Sequence, residues 1–303
     1  MSGVAPVSFA LYQRDFESFA KALGMSFERY GFAIVADHGL DQAGIDAAVA
    51  DAKAFFALPQ ECKQTYVSGK GGQRGYVPFG KETAKGAALH DLKEFWHVGR
   101  DLPPGHPFAS SMPPNVWPRE VPGFQPHTAG LFEALDRLGG HMLEAIAHYL
   151  GLPRDHFRAA VRDGNSILRL LHYPPRATEE MPGAGEHTDY GSLTILLTDD
   201  VGGLEVRRRD GTWIKAPPIP GAFVCNIGDC LMRWSNDTYV STPHRVTSPL
   251  GRDRYSIAFF LDPNPDALVE CLPGCAEARP PKYPPILAAD YLTQRLVATY
   301  GTS

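Results

Sequence analysis

The chain has 303 residues, 44% of them hydrophobic and 21% charged, with a formal net charge of −5 and a pI near 6.1. These values suit a globular protein with a large core and argue against a nucleic-acid binder, which needs a broad positive field. No apolar run reaches the length of a membrane span, no basic-then-apolar leader opens the chain, and the five scattered cysteines suit free thiols, so a cytoplasmic setting is expected.

Residues 7–11 read as a short strand. A helix follows, with Phe16, Phe19, Ala20, Leu23 and Phe27 at helical spacing and Gly31 placed to cap its C-terminus. Residues 32–35 form a strand closed by Asp37-His38-Gly39, where His38 is a turn or packing residue. A second helix runs from about Asp41, with Ile45, Val49, Ala52, Phe55 and Phe56 inward, until Pro59 stops it. Between 60 and 125, Gly69-Lys70-Gly71-Gly72 and the prolines from Pro103 to Pro122 point to long irregular connections, which often cover binding sites. A long helix over 130–149 carries Leu131, Leu135, Leu138, Met142, Ile146 and Tyr149 on one face, and a shorter one spans 153–161.

The texture then changes to short strands separated by turn signals, at 166–173, 182–188, 193–198, 203–208, 212–216, 222–227, 242–247 and 254–261. Asp210-Gly211 marks a hairpin, and Pro220-Gly221 and Gly228-Asp229 mark two further turns. Eight such strands suit a jelly roll. Residues 288–300 form a final amphipathic helix, placed to cover either its own barrel or a second copy. The expected fold is mainly β with flanking helices. An N-terminal α/β region (1–125) packs on a C-terminal part (126–303) that holds the long helix, a jelly-roll core over about 166–262 and the last helix, all in one compact unit.

The chemistry centres on Gly185-Glu186-His187-Thr188-Asp189-Tyr190-Gly191. Side chains two apart on an extended chain point the same way, so His187 and Asp189 can converge. An imidazole and a carboxylate suit a divalent first-row metal, and one more histidine completes a two-His-one-carboxylate triad. His244, on a late strand, is the candidate. His172, its rival, alternates out of phase with Arg169 and Leu171, and the remaining histidines lie in expected loops or helices. On the strand after His244, Arg254 and Ser256 are again two apart. A buried guanidinium needs an anionic partner, and its planar fork binds a carboxylate, so a small dicarboxylate lying between the metal and Arg254 would satisfy it.

His187-x-Asp189, His244 and Arg254-x-Ser256 together resemble the iron(II)- and 2-oxoglutarate-dependent oxygenases, and within them the isopenicillin N synthase-like group. Gly31-Phe32-Ala33-Ile34-Val35, His38-Gly39, Phe55-Phe56-Ala57-Leu58-Pro59, Asn226-Ile227-Gly228-Asp229 and Trp234-Ser235-Asn236 extend the resemblance over nearly the whole chain. The resemblance implies a double-stranded β-helix (jelly roll) core with iron(II) held by His187, Asp189 and His244. It further implies 2-oxoglutarate with its distal carboxylate on Arg254, Ser256 and Tyr173, dioxygen as co-substrate, and hydroxylation or desaturation of a small molecule with release of succinate and carbon dioxide. Plant members often carry Asn two positions before that tyrosine, where this chain has Leu171, so a polar contact to the cosubstrate is expected to be missing or supplied elsewhere. Arg-x-Ser also occurs in oxidases that need no 2-oxoglutarate, of the isopenicillin N synthase and aminocyclopropane carboxylate oxidase type. Those oxidases, an ethylene-forming variant and a non-enzymatic jelly-roll binding module are the alternatives. Candidate substrate-lining residues are Arg74, Tyr76, Lys93, Phe95, Tyr190, Arg233 and Phe260, and the cations among them favour a carboxylated small molecule.

Overall fold

Successive residues of the central strands face two different apolar neighbourhoods, and that alternation sets the architecture. The computed structural model describes residues 4–68, 73–81, 91–175, 183–208, 210–247 and 251–300. The first stretch runs β1 (Pro6–Ser8), α1 (Leu11–Arg14), α2 (Phe16–Tyr30), β2 (Phe32–Ala36), α3 (Gln42–Phe56) and α4 (Gln60–Gln64). β3 (Gly75–Val77), β4 (Glu94–Gly99), α5 (Phe124–Tyr149) and α6 (Arg158–Val161) follow. The barrel strands are β5 (Ile167–Tyr173), β6 (Ala184–His187), β7 (Leu193–Thr198), β8 (Leu204–Arg207), β9 (Trp213–Ala216) and β10 (Ala222–Ile227). After α7 (Asp229–Trp234) come β11 (His244–Val246) and β12 (Arg254–Leu261). The chain closes with β13 (Leu268–Val269), α8 (Pro273–Ala278), β14 (Ile286–Leu287) and α9 (Ala288–Tyr300).

An eight-stranded sheet in the order β1-β2-β10-β7-β12-β5-β4-β3 faces a four-stranded sheet in the order β6-β11-β8-β9. Within the jelly roll, Phe32, Leu171, Val206, Val224, Val246 and Ala258 form one buried cluster. On the outer face of the large sheet, Leu168, Leu170, Ile195 and Phe259 pack with Phe19, Leu23, Phe55, Leu135 and Met142 of the helices. Each fully buried side chain of this size contributes roughly 1.5–3 kcal/mol. β12 shows the division of labour. Ile257, Phe259 and Leu261 face the helices, while Arg254, Ser256, Ala258 and Phe260 line the barrel interior.

Local signals place the helix ends. Asp15 accepts from the Ser18 N–H at 3.1 Å to open α2, and Asp41 accepts from Ala43 and Gly44 to open α3. Gly31 ends α2 in the left-handed region, at φ +67°, with its N–H on the Phe27 carbonyl.

Four expectations need correction. The connection over 60–125 is not all irregular, because α4, β3 and β4 lie in it and both strands join the large sheet. β4 is buried at every residue, and its polar Glu94 and His97 broke the apolar pattern that marks a strand. The stretch Gly69-Lys70-Gly71-Gly72 lies outside the described residues. α5 begins at Phe124 rather than 130; Pro126 falls in its first turn, where a missing N–H costs nothing. The short helix of 153–161 narrows to Arg158–Val161, and Gly228-Asp229 opens α7 rather than marking a simple turn.

Candidate active site

β6 and β11 are antiparallel neighbours, and His187 and His244 are direct cross-strand partners. The next pair is Val246 with Ala184, so β6 carries an extra residue and bulges beside the site. β6 ends at His187, and Asp189 lies in the connection to β7, not on an extended strand as the i, i+2 argument assumed. It still converges. His187 Nε2 and His244 Nε2 lie 4.0 and 3.7 Å from Asp189 Oδ1. Among the described residues, this is the group whose potential ligand atoms all lie within 4.8 Å of one another.

The surroundings prepare these atoms for a cation. His187 Nδ1 lies 2.8 Å from the Gly185 carbonyl, and His244 Nδ1 lies 3.2 Å from that of Thr242. A carbonyl can only accept, so each Nδ1 carries a proton and Nε2 is the nitrogen left to face a metal. Burial, then the neighbouring His244 imidazole, push the His187 pKa down to about 4, so the ring is neutral near pH 7. Burial would raise the Asp189 carboxyl, but the His244 and His187 imidazoles and donors from Asn226 and Thr194 outweigh it and hold it below its usual range. Two imidazole nitrogens and an ionised carboxylate are a donor set that fits iron(II).

Sequence reasoning missed the groups that orient the carboxylate. Asp189 Oδ2 accepts from Thr194 Oγ1 at 2.6 Å and Asn226 Nδ2 at 2.7 Å, leaving Oδ1 toward the histidines. The available signal was a single Asn in the apolar run Ala222–Ile227, since a buried amide needs a partner. Close backbone contact completes the loop. A Cβ on Gly228 would stand 2.2 Å from the Gly191 carbonyl oxygen, so only glycine fits there.

Arg254, Ser256 and Tyr173 lie together on the same cavity wall, as expected. The guanidinium is 1% exposed, donates to the Gly202 carbonyl and to Ser256 Oγ (3.2 Å), and lies 4.7 Å from the Tyr173 ring centroid. Among the described residues no carboxylate pairs with it. A buried cation with spare donors fits the distal carboxylate of 2-oxoglutarate. Leu171 lines the same cavity and offers no polar contact.

His172 points away from the cavity, as its phase predicted. Its Nδ1 lies 2.7 Å from Glu94 Oε1 and its Nε2 2.7 Å from Asp253 Oδ1. Glu94 also accepts from Lys63 Nζ (2.7 Å) and the Tyr76 hydroxyl. Of the proposed lining residues, Lys93 and Phe260 border the cavity and Phe95 belongs to the cluster inside the barrel. Arg74, Tyr76, Tyr190 and Arg233 do not line it. Tyr76 is drawn to Glu94, Arg74 is buried against Gly99, and Tyr190 and Arg233 contact side chains of the C-terminal segment. No helix of the described residues is long and apolar enough to cross a membrane.

Comparison with known proteins agrees with this geometry. The model of the 2OG-Fe(II) oxygenase superfamily matches residues 164–263, and that of the non-haem dioxygenase in morphine synthesis N-terminal region matches 6–120. The 2-oxoglutarate-Fe(II) type oxidoreductase hxnY of Emericella nidulans is 35% identical, over 91% of this chain and 83% of its own length. A crystal structure of a Caulobacter crescentus protein assigned to the 2OG-Fe(II) oxygenase family is 53% identical, with a TM-score of 0.91 over 97% of this chain and 98% of that one. A full-length Neurospora crassa protein, crystallised in complex with alpha-KG (2-oxoglutarate) and thymine, is 34% identical, with a TM-score of 0.87 over 97% and 96% of the two chains. These relatives favour the 2-oxoglutarate-dependent reading over the cosubstrate-independent oxidase. The chain belongs to the 2OG-Fe(II) oxygenase superfamily and is an iron(II)- and 2-oxoglutarate-dependent dioxygenase with a double-stranded β-helix core.

Proposed function

We propose that His187, Asp189 and His244 hold the iron, that Arg254, Ser256 and Tyr173 hold the distal end of 2-oxoglutarate, and that the enzyme hydroxylates a small carboxylated molecule. The observation that carries the reading is the convergence of three ligand atoms in the same cavity as a buried guanidinium with no carboxylate partner among the described residues. Bound together, iron and cosubstrate supply the oxidising power, with dioxygen consumed and 2-oxoglutarate split to succinate and carbon dioxide as a substrate C–H bond is hydroxylated.

The protein's own residues orient and shield. Arg254 fixes one end of the cosubstrate, so that its other end lies toward the histidines. Leu171, Leu196, Val246 and Phe260 exclude water from the cavity wall. Lys93, paired with Asp91 at 2.9 Å, and Arg169, which donates to His97 Nε2 at 2.7 Å, border the same cavity and bring positive charge to it that suits a substrate carboxylate. Lys93 lies close enough to His187 to depress its pKa further, and the Arg169 guanidinium lies 4.3 Å from the Phe95 ring centroid.

The test is anaerobic loading with iron(II), addition of 2-oxoglutarate and measurement of the visible charge-transfer absorption. Succinate release is then measured over a panel of small carboxylates and uncharged heterocycles such as thymine. The expected result is a band in the wild type, none in Arg254→Ala at limiting 2-oxoglutarate, and turnover with carboxylates. Stoichiometric iron without a band would remove the cosubstrate assignment, and turnover confined to uncharged heterocycles would remove the carboxylate one.

A further inference from the structure

The C-terminal helix meets the barrel beside the metal-ligand loop. From α9, Arg295 Nη2 donates to Thr188 Oγ1 at 3.1 Å, and the guanidinium carbon lies 4.8 Å from the Tyr190 ring centroid. Thr188 and Tyr190 are the two residues that flank Asp189. The same side chain places Nε 3.5 Å from Asp229 Oδ2, an oxygen that also accepts from the Tyr291 hydroxyl at 2.7 Å. Asp229 in turn donates its backbone N–H to the Asp189 carbonyl at 2.8 Å. Its side chain is 4% exposed, and the Arg295 side chain 32%.

The polar contacts carry much of this docking. A cavity of about 140 Å³ lies between Gly191, Cys230 and Asp262 on the barrel side and Ala288, Leu292 and Leu296 on the helix side. Ala288 is buried in the core and Tyr291 packs against it, but the cavity interrupts apolar packing along this face. Among the described residues, the Arg295–Thr188 hydrogen bond, the Arg295–Asp229 pair and the Tyr291–Asp229 hydrogen bond tie the helix to the loop or to the residue that holds its backbone, while the Ala288 and Ala289 N–H groups donate to the Ala267 and Pro265 carbonyls at the helix start.

We propose that Arg295, acting through Thr188 and Asp229, is a positioning residue for the metal centre. Docked α9 holds the loop in the conformation that presents Asp189, so helix docking and metal binding strengthen each other. The inference rests on the assignment of Asp189 as a metal ligand. Linkage makes the coupling reciprocal: the factor by which a docked helix tightens metal binding is the factor by which metal stabilises docking.

The experiment uses the full chain with manganese(II) as the probe. Affinity is measured by calorimetry for the wild type, Asp189→Ala, Arg295→Met, Arg295→Lys and Thr188→Val. Amide hydrogen exchange of residues 288–298 is followed with and without the metal. Arg295→Met is expected to weaken manganese binding on the order of 10-fold, with Arg295→Lys intermediate. In the wild type the metal slows exchange in α9, and in Arg295→Met this protection is lost. Thr188→Val removes the hydroxyl that accepts from Arg295 and donates to Asp229 Oδ2 at 3.5 Å, without touching the helix; it gives a smaller loss in the same direction, which tests the idea even if Arg295→Met folds poorly. A merely structural role for Arg295 would leave the α9 exchange independent of metal. That result, or Arg295→Met and Thr188→Val both binding within two-fold of wild type while Asp189→Ala has lost the metal, overturns the proposal. Undiminished binding by Asp189→Ala would remove the ligand assignment itself, and the proposal with it.

Discussion

Asn226 and Asp189 lie 37 residues apart in the chain, yet the Asn226 amide nitrogen sits 2.7 Å from Asp189 Oδ2. Together with Thr194 it occupies that oxygen and turns Oδ1 toward the two histidines. Without these donors the carboxylate is free to rotate or to spread both oxygens over the metal. Asn226→Leu should therefore weaken manganese or iron binding by about 10–100-fold. Thr194→Val should act in the same direction, and the double variant should lose less than the sum. Calorimetric metal titration decides it, and unchanged affinity in both single variants would show that the Oδ2 contacts are dispensable.

Arg254→Met should leave metal affinity unchanged and weaken 2-oxoglutarate binding by on the order of 100-fold, because a charge-assisted pair is lost. Ser256→Ala removes one neutral hydrogen bond and should cost about 1 kcal/mol. A sharper check uses 2-oxobutyrate, which lacks the distal carboxylate. The wild type should strongly prefer 2-oxoglutarate to it, whereas Arg254→Met should bind the two about equally.

Gly228→Ala should damage the ligand loop although residue 228 is not itself a ligand. Its Cβ would stand 2.2 Å from the Gly191 carbonyl oxygen, and backbone cannot yield as a side chain tip can. A stability loss of roughly 2 kcal/mol or more is expected, together with weaker metal binding. Thermal melts with and without manganese would separate the two effects.

Glu94 makes the acid limb of stability testable. Burial alone would raise its carboxyl, but hydrogen bonds from His172, Lys63 and Tyr76 outweigh burial and hold it below its ordinary value of 4.5. A carboxyl depressed in the folded state adds stability above its unfolded pKa and loses it as pH falls through the folded one. Glu94→Gln leaves the Lys63 ammonium buried without its carboxylate, so it should be less stable than wild type at pH 7 by about 3 kcal/mol. The gap should narrow steadily below about pH 4.5. Urea midpoints across pH 3–7 would measure it, and a constant gap would contradict the assignment.

The barrel was legible because period-two alternation survives in its strands. All eight expected core strands are present to within one or two residues at each described end, including the late strand that carries His244. The Arg254–Ser256 pair was legible because polar side chains at i and i+2 stand out on an apolar strand, whereas the same spacing drew attention to His187 and Asp189 although Asp189 lies beyond the end of β6. β4 was not legible, because Glu94 and His97 interrupt its pattern and their partners Lys63, Tyr76, His172 and Arg169 are distant in sequence. Thr194 and Asn226 escaped because each is an ordinary polar residue until the fold brings Asp189 beside it. The role of α9 was left open between its own barrel and a second copy. Its contacts with Thr188 and Asp229 seat it on its own barrel, through pairs more than 60 residues apart that no local pattern reveals.

His187 and His244 face one another across paired strands, and the consequence is kinetic. The loop that separates them must close, and β6, β8 and β11 must be aligned, before the two rings can meet. Contacts of such long range form late, and the unfolded chain offers a metal ion no assembled pair. Interactions absent from the folding transition state act on the unfolding rate. Bound metal should therefore slow unfolding while leaving the refolding rate almost where it was, serving as a latch on a barrel that has already closed.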